Sequence, residues 1–359
     1  MPSSDQQHGH LDHKDPDEPQ VMLEHQFELT KDDRPGIEGI IAAIPPRWRE
    51  FFGKVVANPR FNAWYFAQTL LLFTCDQILD TVIPGTMFGV FAAMSGATLN
   101  LPAQSPFSIL GRILQISLWL WLVILQFCVQ NQRSSGSIAE DSINKPWRPI
   151  PSGRMTPQHA NQLLKVVHIL AALLSYKLHV LPIFLVYVCL ITLYNDFGAS
   201  NKSGVVRNLF CGAGFTCYFG GALSIAAGPG VAMTYEGWKW VVTVTFGILA
   251  TTIQTQEFRD ELGDKARGRR TLVTELGRKM ALWTVFVTVS FWSLYAPLGV
   301  FQGGWMTALL PMLLGGALLM VSLQAYFSNH NKMDRMMYKL WCLWMVGFCP
   351  LPLLAKILG

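Results

Sequence analysis

Two short stretches set carboxylates at helical spacing beside a surplus of cations. In "NQRSSGSIAEDSINKPWRPIPSGR" (residues 131–154), Ser137, Glu140, Asp141 and Asn144 fall at i, i+3, i+4 and i+7. A helix there presents two carboxylates, a hydroxyl and an amide on one face. Pro146 stops such a helix, while Pro149 and Pro151 keep the following chain extended, so Arg148 and Arg154 ride on a stiff loop. In "QTQEFRDELGDKARGRRTL" (residues 254–272), Glu257, Asp260 and Asp264 again share one helical face. Glu261 lies close by, and Lys265, Arg267, Arg269 and Arg270 follow.

Carboxylates without Cys or His partners suit hard divalent cations that take oxygen ligands. Mg²⁺ keeps several waters and is held by a few carboxylates together with a substrate's own phosphates. Arg and Lys then neutralise the remaining phosphate charge, Arg often through two parallel hydrogen bonds. An isoprenoid diphosphate matches this chemistry, with a polyanionic head and a tail that prefers an apolar cavity. The plainer alternative is that both stretches are ordinary cytosolic loops whose acids are counterions.

The elements that must position these clusters are apolar. Of 359 residues, 51% are hydrophobic and 14% charged, against roughly a quarter charged in soluble domains. This excludes an ordinary soluble enzyme and gives no basic nucleic-acid face. The seven cysteines form no metal spacing, and their odd number argues against a disulfide framework, leaving buried free thiols. Nothing near Met1 resembles a signal peptide. Residues 1–60 are polar and read as a cytosolic, largely disordered segment; its His8, His10 and His13 are a weak metal-binding pattern.

Residues 61–359 read as an all-α transmembrane domain of about nine helices. The expected spans are 65–85 (continuing past Pro84 towards 98), 109–130, 158–178, 179–196, 206–228, 236–256, 279–299, 305–326 and 337–357. Cations concentrate in the N-terminal segment, including Arg47, Arg49, Lys54 and Arg60, and in every second connection. The opposite side keeps only Arg112, Lys177, Lys239 and Lys356. The positive-inside rule puts the N-terminus in the cytosol and the C-terminus across the membrane, which needs an odd number of spans. Both acidic clusters then face the cytosol.

Within the spans, Asp76 and Asp80 stand at i and i+4. Charged groups inside a membrane generally face the bundle interior, so the pair reads as part of a substrate pocket, a proton acceptor, or an interfacial feature if the helix starts later. Trp119, Trp121, Tyr218, Phe219, Trp283 and Trp292 are candidates to line a cavity. A transporter is a rival class, its path marked by Asp76, Asp80, Gln115 and Gln324, but acids gathered at one surface fit it poorly.

The two clusters resemble the aspartate-rich motifs of the UbiA superfamily of intramembrane prenyltransferases: "NQ…SxxxDxxNKPWRPIPSGR" the first and "ExxDxxxDxxxGxxTL" the second. The resemblance covers roughly residues 60–357. Ser137 stands where the family has an aspartate, Asn131 matches the leading asparagine only with two residues inserted, and Glu257 replaces an aspartate. With "FTCDQILDTVIPGTMFG" in the first helix, this pattern looks like the fungal branch of UbiA-type terpene cyclases.

The resemblance implies a helical bundle whose central cavity opens to the cytosolic side, in a membrane such as the endoplasmic reticulum. It implies a lyase of fungal secondary metabolism that ionises farnesyl diphosphate with Mg²⁺ and cyclises it to a sesquiterpene hydrocarbon, bergamotene-type products included. The alternative activity is transfer of the prenyl group to an aromatic or polyketide acceptor. Carried over by residue, Asn131, Glu140 and Asp141 would hold one Mg²⁺ and Glu257, Asp260 and Asp264 a second, with Ser137 contributing weakly or through water. Lys145, Arg148, Lys202 and Arg207 would grip the diphosphate, with Tyr194 and Asn195 nearby. The expected partners are the prenyl diphosphate and the lipid bilayer.

Overall fold

A computed structural model describes residues 63–102, 104–328 and 331–358. The N-terminal segment, with its histidines and with Arg47, Arg49, Lys54 and Arg60, lies outside the described residues. Among those described, all regular structure is helical.

The first rod joins α1 (Ala63–Gln77), a π-helical turn (Ile78–Val82) and α2 (Ile83–Ser95). Pro84, past which the span was expected to continue, sits in the first turn of α2, where its missing N–H costs little. Asp80 lies within the π turn, a feature often found at functional sites. Next come α3 (Pro106–Gln132), the short α4 (Ser135–Asn144), α5 (Pro157–Lys177), α6 (Leu181–Asn195) and α7 (Gly204–Ala227). Ser105, Ser134, Thr156 and Ser203 accept N–H bonds at the starts of α3, α4, α5 and α7. The next rod starts as α8 (Tyr235–Val242), passes through a π segment (Thr243–Leu249), a single turn and a 3₁₀ turn (Ile253–Gln256), and becomes α9 (Glu257–Arg267). Then follow α10 (Leu272–Leu276), α11 (Arg278–Tyr295), α12 (Trp305–Phe327), α13 (Asn331–Phe348) and α14 (Leu351–Leu358).

Helix occupies all nine stretches expected to span. Among the described residues, five helical rods are long and apolar enough to cross a membrane, or six if the bent α13–α14 pair is one span. The others fall short for local reasons: α5 opens with His159, Asn161 and Gln162, α6 has only 15 residues, and the α8 rod changes helix type three times before it reaches Gln256. Leu110, Leu114, Leu173, Leu313 and Met320 point outward, a coat that suits lipid.

Inside, small residues admit large neighbours. A side chain at Gly221 would stand 2.2 Å from the Trp119 indole, whose Nε1 donates to Ser175 Oγ at 2.8 Å. Phe88 stacks on Phe219 with ring centres 4.6 Å apart. Trp344 and Trp341 donate to Ser293 and Thr252, so polar residues inside the helices satisfy buried indoles. All seven cysteines are unbridged; Cys189 departs from the expected burial and is exposed on α6.

The two acidic clusters meet because α4 packs on α9. Asn144 clasps the second helix, donating to the Asp260 carbonyl at 2.9 Å and accepting from the Gly263 N–H at 3.1 Å. Any larger residue at 263 would collide with it, since a Cβ there would lie 2.3 Å from Asn144 Nδ2.

Candidate active site

A cavity opens beside this junction, and two helices grade its walls. Along α7 the lining residues are Arg207, Phe210, Cys211, Gly214, Phe215 and Tyr218, a single helical face. It passes from guanidinium to aromatic over about 16 Å at 1.5 Å per residue. Along α3 the face Ile124, Phe127, Cys128, Asn131 and Gln132 makes the same change in the opposite chain direction. One end of the cavity is thus cationic, with Lys145, Arg148, Arg207, Arg259 and Arg269, and the other is apolar and aromatic, with Phe127, Phe215 and Tyr218. Tyr218 donates to Tyr187, which donates to the Val123 carbonyl at 2.7 Å, so both rings are held in place.

At the cationic end the two motifs exchange ion pairs. Lys145 of the first donates to Asp260 of the second at 2.9 Å. Arg267 and Arg269 of the second pair with Glu140 of the first at 2.8 and 3.2 Å. Within the first, Arg148 donates to both oxygens of Asp141 at 2.9 Å and reaches Asp76 at 3.4 Å. Arg207 pairs with Glu257, whose other oxygen accepts the Val273 N–H. Burial alone would raise Glu140, yet Arg269, Arg267 and Lys145 hold it below the ordinary carboxylate range. Asp260 is likewise buried and is held well below by Lys145 and Arg259.

Asp264 behaves differently. Burial pushes its carboxyl up to about 7, with Arg207 and Arg269 only partly opposing. Arg269 is 3.8 Å away, and the buried Oδ2 has no hydrogen-bond partner. A carboxyl that binds its proton more tightly when folded adds stability below its ordinary value of 3.8, and that contribution is lost as the pH climbs to about 7. We therefore expect thermal stability in detergent with a chelator to fall over this range, and Asp264→Asn to flatten the slope. An unchanged slope in that variant would refute the assignment.

The residues that the resemblance assigns as ligands each have partners of their own in the protein. Asn131 donates to Asn195 at 2.8 Å, Glu140 and Asp141 turn to different arginines, and Glu257, Asp260 and Asp264 each face a different cation. Among the described residues no three His, Cys, Asp or Glu side chains converge on one point. A hard divalent ion nevertheless fits where the motifs join: Glu140 and Asp264 share Arg269, the donors are all oxygen, and Asp264 Oδ2 is buried without a partner.

Of the other expected residues, Tyr194 lines the cavity and accepts from Arg269 at 3.4 Å, Ser137 accepts from Arg267, and Lys202 is exposed and does not line it. Tyr218 alone of the six candidate aromatics reaches the cavity; Trp283, for one, is exposed on α11. Sequence reasoning gave no role to Arg259 or Arg269 as lining residues. Their positions inside the second motif were the available signal, but nothing in the spacing told lining cations from solvent-facing ones.

The family model for UbiA prenyltransferases matches residues 82–343. The chain belongs to the UbiA prenyltransferase family. Among UbiA relatives, a fumagillin beta-trans-bergamotene synthase of Aspergillus fumigatus is 31% identical over 301 residues, 82% of this chain and 94% of that protein. A somaliensene A/B synthase of Streptomyces somaliensis is 27% identical, covering 78% of this chain and 90% of its own. The fold is similar to a UbiA homolog from Archaeoglobus fulgidus solved with GPP and Mg²⁺, with TM-score 0.51 and 13% identity over 79% of this chain and 99% of that one. This UbiA protein is therefore related to enzymes, and the transporter reading gives way to the family.

Proposed function

We propose that the protein is a membrane terpene cyclase, a carbon–oxygen lyase that ionises farnesyl diphosphate with Mg²⁺ and cyclises the C15 cation to a sesquiterpene hydrocarbon. The observation that carries this reading is the graded cavity, cationic at one end and aromatic at the other along α3 and α7. The likeness to two terpene synthases over most of the chain supports it, as does a UbiA homolog bound to GPP and Mg²⁺.

In this reading Lys145, Arg148, Arg207, Arg259 and Arg269 bind and orient the diphosphate, neutralising charge that grows on it as the allylic C–O bond breaks. Glu140 and Asp264 would hold Mg²⁺, which would supply further positive charge to the leaving group. Two other carboxylates keep cations aimed: Asp141 holds Arg148 and Glu257 holds Arg207. The apolar end keeps bulk water from the carbocation. The faces of Phe127, Phe215 and Tyr218 attract its charge, by about 2 kcal/mol or more each when desolvated.

Microsomes carrying the protein, given farnesyl diphosphate and Mg²⁺ without any acceptor, should release diphosphate and a volatile C15 hydrocarbon seen by gas chromatography. No hydrocarbon without acceptor, but a prenylated product with an aromatic one, would replace this reading by prenyl transfer.

A further inference from the structure

Two carboxylates line the cavity among the described residues, and they sit at different depths. Glu140 belongs to the charged end and is held by Arg267 and Arg269. Asp80 belongs to neither motif. Asp76, four residues earlier, contacts Arg148 and so marks the level of the diphosphate clamp. Asp80 is one helical turn further along the rod, about 6 Å at 1.5 Å per residue, and shares the cavity wall with Thr81, Ile124 and Cys128.

The setting of Asp80 is built. The π turn at 78–82 carries it. Its two oxygens accept separate hydroxyl hydrogens, Oδ1 from Thr81 at 2.8 Å and Oδ2 from Tyr338. An ionised carboxylate only accepts, so both donors suit the charged form. Tyr338 is itself fixed, with the Arg259 guanidinium 3.6 Å over its ring and Trp341 stacked 5.9 Å away. Trp341 lines the same stretch of wall and is anchored by Thr252. A carboxyl oxygen and an indole thus flank the part of the cavity that would receive the hydrocarbon chain.

We infer that Asp80 is the proton acceptor that ends the reaction, with Tyr338 as its positioning residue. This rests on the cyclase reading above, because a cyclised cation becomes a neutral hydrocarbon only by losing a proton. The C–H bond next to the cationic carbon breaks, its electron pair becomes the new C=C bond, and the proton passes to Asp80. It leaves with the diphosphate, so hydrocarbon and hydrogen diphosphate together account for every atom of the substrate. Without the acceptor the cation forms all the same and is quenched elsewhere: by water to an alcohol, by the diphosphate itself as base, or at another C–H to an isomeric olefin.

The test measures diphosphate release and product composition side by side, in microsomes given farnesyl diphosphate and Mg²⁺, for wild type, Asp80→Asn and Tyr338→Phe. Asp80→Asn keeps shape and hydrogen-bonding capacity but is not a base. It should release diphosphate within about threefold of wild type, which also reports a folded protein, while its main hydrocarbon drops at least tenfold in favour of alcohols and isomeric olefins. Tyr338→Phe should release diphosphate at close to the wild-type rate and keep the wild-type main product as the largest, with a severalfold smaller share of alcohols and isomeric olefins than Asp80→Asn. An unchanged product mixture in Asp80→Asn overturns the assignment. So does loss of diphosphate release in that variant, since the residue would then act before or during ionisation. A Tyr338→Phe mixture identical to that of Asp80→Asn would make the pair a brace between helices and overturn it as well. Wild type that makes no hydrocarbon defeats the cyclase reading and this inference together, whereas wild-type hydrocarbon with an unaltered Asp80→Asn mixture defeats only the inference.

Discussion

Arg148→Ala is expected to lower diphosphate release about a thousandfold, the upper end of what one preorganised donor contributes to a developing anion. Arg148 is 7% exposed, lines the cavity and spans two acids, donating to both oxygens of Asp141 and reaching Asp76. Burial disfavours its charge, but Asp141 and Asp76 more than offset this and hold the guanidinium protonated. Removal therefore costs twice. The cavity loses a cation, and Asp141, 2% exposed, keeps a buried charge without its partner, a change worth about 3–5 kcal/mol of stability. Thermal unfolding in detergent separates the two effects from the rate. Arg148→Lys should recover much of the stability and little of the rate, because an ammonium lacks the planar fork that bridges Asp141 and Asp76. An alanine variant with more than about a tenth of wild-type turnover would place Arg148 outside the work of ionisation.

The helices were legible because their signals are local. Apolar runs of about 20 residues mark a membrane chain, and Ser and Thr caps begin α3, α4, α5 and α7 where the hydrophobic pattern resumes. The continuation past Pro84 was legible, and one rod runs from Ala63 to Leu99; the five-residue π turn just before the proline was not. The motifs were legible as a face of acids, but their partners were not. Spacing places Glu140, Asp141 and Asn144 on one side of α4; it does not say that Asn144 would clasp Asp260 and Gly263, or that Lys145 would reach across to the other motif. Those contacts join residues more than a hundred positions apart and follow from how α4 lies on α9. The same holds for Asp80 and Tyr338, joined from the two ends of the domain. Of the candidate aromatics, most pack the core or face outward, because period alone gives a helix a face without saying which neighbour covers it.

Asp260→Ala tests whether the exchanged ion pairs serve only to brace the motifs. Asp260 accepts from Lys145 at 2.9 Å and lies 3.4 Å from Arg259, and both cations line the cavity. If the carboxylate only aims them, losing it frees Lys145 to move, and Lys145→Ala should cost as much as Asp260→Ala, with the double variant no worse than either. If Asp260 also turns towards a metal ion when substrate arrives, its loss should lower diphosphate release about 10²–10³-fold and raise the Mg²⁺ concentration for half-maximal rate by about tenfold, the scale on which supporting groups alter metal affinity. We expect the second outcome, with Lys145→Ala lowering the rate but leaving the Mg²⁺ dependence in place. The reason is electrostatic. Lys145 and Arg259 hold Asp260 charged far below neutral pH, so the arriving diphosphate, by drawing those cations to itself, leaves a buried anion that needs a new counter-charge. An Asp260→Ala protein with wild-type Mg²⁺ dependence would show that this exchange does not take place.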